Sequence, residues 1–242
     1  MPATFFAYPG KSPRPYPQDA VVHVLARAEE DLADALARLA DELNAPQLAV
    51  PSAVAANPQP GSGAITSAAV AQSLNALLPE EAIVVDESVS FGHAFYPGTV
   101  NAAPHDWLQV TGGAIGDGLP LALGAAIAAP LRRVIALQAD GSGMYTLQAL
   151  WSMAREKLDV TVVVLANRKY AILQHELACV GATTGKTALD MLDIGNPDLA
   201  WVHLATGMSV AAARAESMAQ FNELFARANR QSGPFLIELV IP

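Results

Sequence analysis

Thiols, basic side chains and unbroken apolar runs are all scarce in this 242-residue chain. One cysteine, Cys179, excludes an internal disulfide and any metal centre built on clustered thiolates. Lysine and arginine total 14 against 23 aspartates and glutamates, a formal net charge of −9. That balance argues against nucleic acid, whose binding needs a basic face, and it favours solubility. The longest apolar stretch, Leu119 to Leu131, is broken by Pro120 and Pro130 and falls short of the roughly 20 residues that span a bilayer. Met1-Pro-Ala-Thr-Phe-Phe lacks the basic start and cleavage site of a secretory signal, so the expected location is cytoplasmic. Charged residues make up only 15% against 52% hydrophobic, a composition that builds a core and excludes wholesale disorder.

Against this background two polar residues stand out, each ending an apolar run. Asp140 closes Arg133-Val-Ile-Ala-Leu-Gln-Ala, and Asn167 closes Val160-Thr-Val-Val-Val-Leu-Ala. Both runs are rich in β-branched residues and short, as buried strands are. Between them, Tyr145 to Lys157 reads as a helix with Leu147, Leu150, Trp151 and Ala154 on its apolar side. Strand, crossover helix and parallel strand form a right-handed βαβ unit. That unit brings both strand ends to one sheet edge. An aspartate and an asparagine oxygen there make a hard, oxygen-only pair of the kind a magnesium ion carrying phosphates takes.

The stretch Asp140-Gly141-Ser142, followed one crossover later by Asn167, resembles the Gly-Asp-Gly…Asn signature of thiamin diphosphate enzymes. The likeness is to the 2-oxo acid decarboxylases and acetolactate synthase-like carboligases. Met144-Tyr-Thr-Leu-Gln-Ala-Leu-Trp151, Ala154-Arg-Glu-Lys-Leu158 and Asn167-Arg-Lys-Tyr170 agree with it. One departure is Ala139, where the signature has its first glycine. A bare Asp-Gly after a strand is more often a turn, but here spacing, element type and flanks coincide.

The resemblance implies thiamin diphosphate and Mg²⁺ as cofactors, with Asp140, Asn167 and the Lys169 carbonyl as metal ligands. It places Gly141, Ser142 and Gly143 at a helix start near the diphosphate, where free N–H groups favour anions. Ser142 also reads as an ordinary N-cap. Val89 and Ser90, in Asp86-Glu-Ser-Val-Ser-Phe91, are implied diphosphate contacts. Asp86 and Glu87 beside them read equally as turn and capping residues. In Thr111-Gly-Gly-Ala-Ile-Gly-Asp-Gly118, the Gly113 carbonyl would meet the aminopyrimidine, and Ile115 would wedge between the cofactor's two rings. Tyr170 would run along the cofactor. Leu173, His175 and Glu176 are candidates for the substrate mouth, although a lone histidine on a loop is more often structural.

The remainder alternates strand and helix to the C-terminus. Helices are expected over Ile65–Leu77, Gly113–Ala129, Asn196–Thr206 and Ser217–Gln231, and strands over Ala82–Asp86, Ser209–Ala213 and Phe235–Ile241. The expected fold is α/β, a doubly wound, mainly parallel sheet with helices on both faces. Residues 45–63, punctuated by Pro46, Pro51, Pro58, Pro60, Gly61 and Gly63, read as a linker. Before it, a strand at Ala20–Leu25 and a helix over Glu29–Asn44 are expected. By resemblance residues 1–44 are the remnant of a middle domain and 64–242 the diphosphate-binding domain. The family's pyrimidine domain, with its activating glutamate, has no counterpart in the chain. The expectation is the C-terminal part of an enzyme that decarboxylates a 2-oxo acid or ligates the product to a carbonyl. It would be inert without a pyrimidine domain from a longer chain or partner subunit, and homodimeric or tetrameric. Rival readings are a non-catalytic binding module of the same fold and one subunit of a split decarboxylase.

Overall fold

The computed structural model describes residues 16–17, 19–46, 58–181 and 185–242. The chain divides into two compact units, Met1–Ala53 and Val54–Pro242. In the first, helix α1 (Leu32–Glu42) begins where Asp31 accepts hydrogen bonds from the N–H groups of Ala33 and Asp34. Its leucine stripe, Leu32, Leu36, Leu39 and Leu43, is exposed. The strand expected at Ala20–Leu25 is instead exposed coil. Its β-branched composition favours a strand, but no ladder partner lies among the described residues, and unpaired backbone groups turn to water.

The second unit opens with a linker end that is pinned rather than free. Gly61 donates its N–H to Ser73 Oγ (3.1 Å) and accepts from Asn222 Nδ2 (2.9 Å). Helix α2 (Ser67–Leu77), capped by Thr66, leads to strand β1 (Ala82–Glu87). A 3₁₀ turn, Gly92–Ala94, and the short helix α3 (Phe95–Gly98) then precede β2 (His105–Gln109). Next come α4 (Gly118–Ala128), β3 (Val134–Ala139), the single turn α5 (Asp140–Gly143), α6 (Ala149–Arg155) and β4 (Val160–Ala166). Helices α7 (Ala171–Cys179), α8 (Lys186–Met191) and α9 (Trp201–Gly207) follow. Strand β5 (Ala211–Ala215), α10 (Met218–Ala228) and β6 (Phe235–Val240) complete the unit.

The six strands lie in the order β2-β1-β3-β4-β6-β5, and every neighbouring pair is parallel. A parallel sheet must be covered on both faces, which is why the central strands are almost continuously apolar. Val163, Leu165, Ile237 and Leu239 pack with Leu74 of α2, Phe95 of α3 and Phe221 and Phe225 of α10. Val162, Val164, Ala136 and Leu236 face the other way, toward Leu119 of α4, Met153 of α6 and Trp201 of α9. The chain therefore leaves β1 over one face and β3 over the other. The carboxyl ends of these adjacent strands flank a crevice, the topological switch point at which α/β sheets bind ligands.

Candidate functional site

Asp140 stands at the end of β3 with its side chain almost enclosed (3% exposed). Its Oδ1 accepts the N–H of Gly141 (2.9 Å) and its Oδ2 that of Arg168 (2.7 Å), tying the ends of β3 and β4 together. Burial pushes the carboxyl above its ordinary range, and the Arg168 and Gly141 N–H groups pull it partly back. One strand over, Asn167 Oδ1 accepts the N–H of Lys169 (3.1 Å). Arg168 between them has φ +60°, which turns the chain sharply. Lys169 then pairs antiparallel with Asp193, flanked by bonds from Tyr170 N–H to Leu192 O (2.9 Å) and Ile194 N–H to Arg168 O (3.0 Å). Because the flanking residues make those bonds, the carbonyl of Lys169 itself points away from Asp193. Among the described residues no cluster of three histidine, cysteine, aspartate or glutamate side chains could hold a metal. A cation here would rest on one carboxylate, one amide oxygen and one backbone carbonyl, with room left for phosphate oxygens. That donor chemistry fits Mg²⁺.

These groups open into a cavity of about 380 Å³. Val89, Ser90, Ile115, Gly141, Ser142, Tyr170 and Leu173 line it together with Asp140, Asn167 and Lys169. Gly141 lies directly under the Tyr170 ring, where an added Cβ would sit 2.6 Å from Cε1, so no larger residue fits without moving the ring. Val89 takes φ +51°, turning the chain out of β1 toward the crevice. A second cavity, of about 630 Å³, adjoins the first and shares Val89, Ile115 and Leu173 with it. Gly113, at φ +68°, and His93 line this second space. Ile115 is 65% exposed and borders both.

Three expected site residues line neither cavity. Gly143 is buried against the Trp201 ring, so it serves the packing beneath the site. His175 and Glu176 lie further along α7, the helix that replaces the expected loop. There His175 Nε2 is 3.4 Å from Cys179 Sγ, one turn on.

Sequence reasoning passed over a buried network joining β1, β3 and the glycine loop. Glu87 accepts the N–H groups of Gly116 (2.6 Å) and Gly118 (2.7 Å) and the amide of Gln138 (2.9 Å). Gln138 also donates to Ser142 Oγ (2.7 Å). Asp86, the other acid of the pair, folds back on the N–H and hydroxyl of Ser88. The available signal was Gln138, an amide inside an otherwise apolar run, since a buried polar group must find a partner.

An all-parallel α/β sheet with an oxygen-only pair beside its switch point has the layout of a ligand-binding domain, the ligand lying at the carboxyl edge. Residues 93–239 match the family model described as the thiamine pyrophosphate enzyme C-terminal TPP binding domain, thiamine pyrophosphate being another name for thiamin diphosphate. The chain belongs to this family of thiamin diphosphate-binding domains, and the relatives it resembles bear acetolactate synthase and decarboxylase names. It is 49% identical over its whole length to a candidate acetolactate synthase large subunit, IlvX, of Mycobacterium tuberculosis, of which it covers 47%. It is 32% identical to the benzoylformate decarboxylase of Pseudomonas aeruginosa, over 69% of this chain and 30% of that one. Among solved structures, the 4-hydroxybenzoylformate decarboxylase of Rhodococcus jostii RHA1 superposes with a TM-score of 0.72. The match covers 86% of this chain and 39% of that one at 29% identity. The chain thus spans about half the length, or less, of these relatives.

Proposed function

We propose that residues 64–242 hold the diphosphate of thiamin diphosphate through Mg²⁺, in an enzyme that decarboxylates a 2-oxo acid or joins the product to a second carbonyl. Residues 1–44 are then the remnant of a preceding domain. The pyrimidine side of the site comes from a domain outside these 242 residues, in a longer chain or a partner subunit. The observation that carries this reading is the convergence of the Asp140 carboxylate, the Asn167 amide and the outward Lys169 carbonyl at the rim of one cavity.

The cofactor, when bound, supplies the carbanion chemistry, and the protein supplies position and electrostatics. Asp140 and Asn167 hold the cation, and their bonds to the Arg168 and Lys169 N–H groups fix where they point. Val89, Ser90 and Ser142, which line the first cavity, would border the diphosphate; Gly113 and Ile115, which line the second, would offer a carbonyl to the aminopyrimidine and a branched apolar side chain between the two rings. Leu173 lines the mouth on the substrate side. The relatives' names cover both decarboxylases and acetolactate synthases, and pocket shape separates such substrates.

Titration calorimetry of thiamin diphosphate into the full chain tests this reading. Binding is expected with magnesium, is lost with chelator, and weakens by more than about tenfold in Asp140→Ala. Affinity indifferent to both magnesium and Asp140 would overturn it.

A further inference from the structure

The stretch from Thr111 to Asp117 is poorly equipped to hold its own shape. Gly112, Gly113 and Gly116 all take positive φ (64°, 68° and 87°), and glycines in that region lose the most freedom on ordering. Asp117, at the start of α4, makes no side-chain cap. Yet this loop carries Gly113 and Ile115, both at the cavity border. Its own backbone bonds, Ala114 N–H to Thr111 O (3.3 Å) and Asp117 N–H to Ala114 O (3.1 Å), leave the N–H groups of Gly116 and Gly118 to partners outside the loop.

Glu87, at the end of β1, is that partner. Its two carboxylate oxygens take the N–H groups of Gly116 and Gly118 separately, at 2.6 and 2.7 Å, and it is 4% exposed. Thr146 grips the same peptide segment from the other side, its hydroxyl donating to the Gly116 carbonyl (2.7 Å). Gly118 has no side chain because none fits: a Cβ would lie 2.5 Å from Gln138 Oε1 and 2.8 Å from Glu87 Oε2. Gln138 extends the link to the Ser142 hydroxyl at the diphosphate side. A carboxylate only accepts, and three donors converge on this one, so an amide in its place would face at least one donor with another.

We infer that Glu87 is a positioning residue: it locks the loop from Thr111 to Gly118 in the form that receives the ring portion of thiamin diphosphate. The inference rests on the reading that Gly113 and Ile115 meet that portion. Glu87 borders both cavities, but its two oxygens are spent on these three donors. It acts through the loop, and its loss should cost the affinity that the rings add rather than the affinity of the diphosphate.

Calorimetry with two probes, magnesium pyrophosphate and magnesium thiamin diphosphate, separates the two contributions in the full chain. In Glu87→Gln the affinity for thiamin diphosphate is expected to fall by about tenfold, the cost of one misplaced charge-assisted bond, with pyrophosphate nearly unchanged. Amide exchange at Gly116 and Gly118 in the unliganded variant should quicken as well. Thr146→Val, which frees only the carbonyl side, should shift the ratio of the two affinities the same way and guards against a Glu87 variant that fails to fold. An unchanged ratio in both variants, or both affinities falling together, overturns the inference and leaves the proposed function standing. A wild-type chain that binds neither probe defeats the proposed function, and this inference with it.

Discussion

At Ala139 a methyl group stands where the resembling signature has glycine, and the backbone there, φ −71° and ψ 143°, is ordinary extended chain that any residue adopts. Nothing in the conformation calls for glycine. Ala139→Gly should therefore change thiamin diphosphate affinity by less than about threefold. It should also cost about 0.5–1 kcal/mol of stability by loosening the unfolded chain, read in denaturant melts. Asp140 behaves differently. Its folded-state carboxyl is raised by burial, so the protonated form favours the fold below the ordinary aspartate range, and that contribution is lost as pH rises through the raised value. Relative to Asp140→Asn, the metal-free wild type should gain thermal stability as pH falls. With magnesium the trend should reverse, because the cation needs the ionised form. Parallel melts across pH, with chelator and with magnesium, check both slopes. That Asp140 and Asn167 stand at the ends of adjacent strands was legible in the sequence, because a βαβ unit fixes where strand ends go. Glu87 was not: its partners lie 29, 31 and 51 residues away, and only the folded sheet shows whether an acid after a strand faces water or a glycine loop.

The elements whose own patterns are strong came through, and those shaped by neighbours did not. Strand β4 and helix α10 sit where periodicity puts them, the latter with Met218, Phe221, Leu224 and Phe225 buried. Strand β2 went unread because His105-Asp-Trp-Leu-Gln109 is a half-buried edge strand, apolar at only some positions and paired on one side alone. Helix α4 was expected from Gly113 and starts at Gly118, because the positive φ of Gly112, Gly113 and Gly116 interrupts the helix there. The seam between α4 and β1 is tight enough to test. In Gly118→Ala the new methyl meets Glu87 and Gln138 side chains that cannot retreat without dropping their own hydrogen bonds. Alanine improves helix propensity by up to about 1 kcal/mol, less at a first turn. Overpacking of about 1–3 kcal/mol outweighs it, so the variant should melt earlier and its Gly116 amide should exchange faster.

On the scale of the molecule, the two cavities at the carboxyl edge of the sheet are short of carboxylates free to move a proton. Among the described residues lining the two cavities, the carboxylates are Asp86, Glu87 and Asp140. Asp86 is taken by Ser88, Glu87 by three donors, and Asp140 by two N–H groups and its place in the proposed metal site. General acid–base work needs a group within hydrogen-bond reach that can give up its present partner; Glu87 and Asp140 cannot without dismantling the loop or the proposed metal site, and Asp86 is turned back onto the N–H and hydroxyl of Ser88. The full 242-residue chain, saturated with magnesium and thiamin diphosphate, is therefore expected to release no carbon dioxide from 2-oxo acids above the rate of the free cofactor. Adding the pyrimidine side of the site, on a longer chain or a second one, should start turnover. Measurable decarboxylation by this chain alone would mean that another lining group, His93 of the second cavity or Tyr170 of the first, moves the proton, and substitution of each would show which.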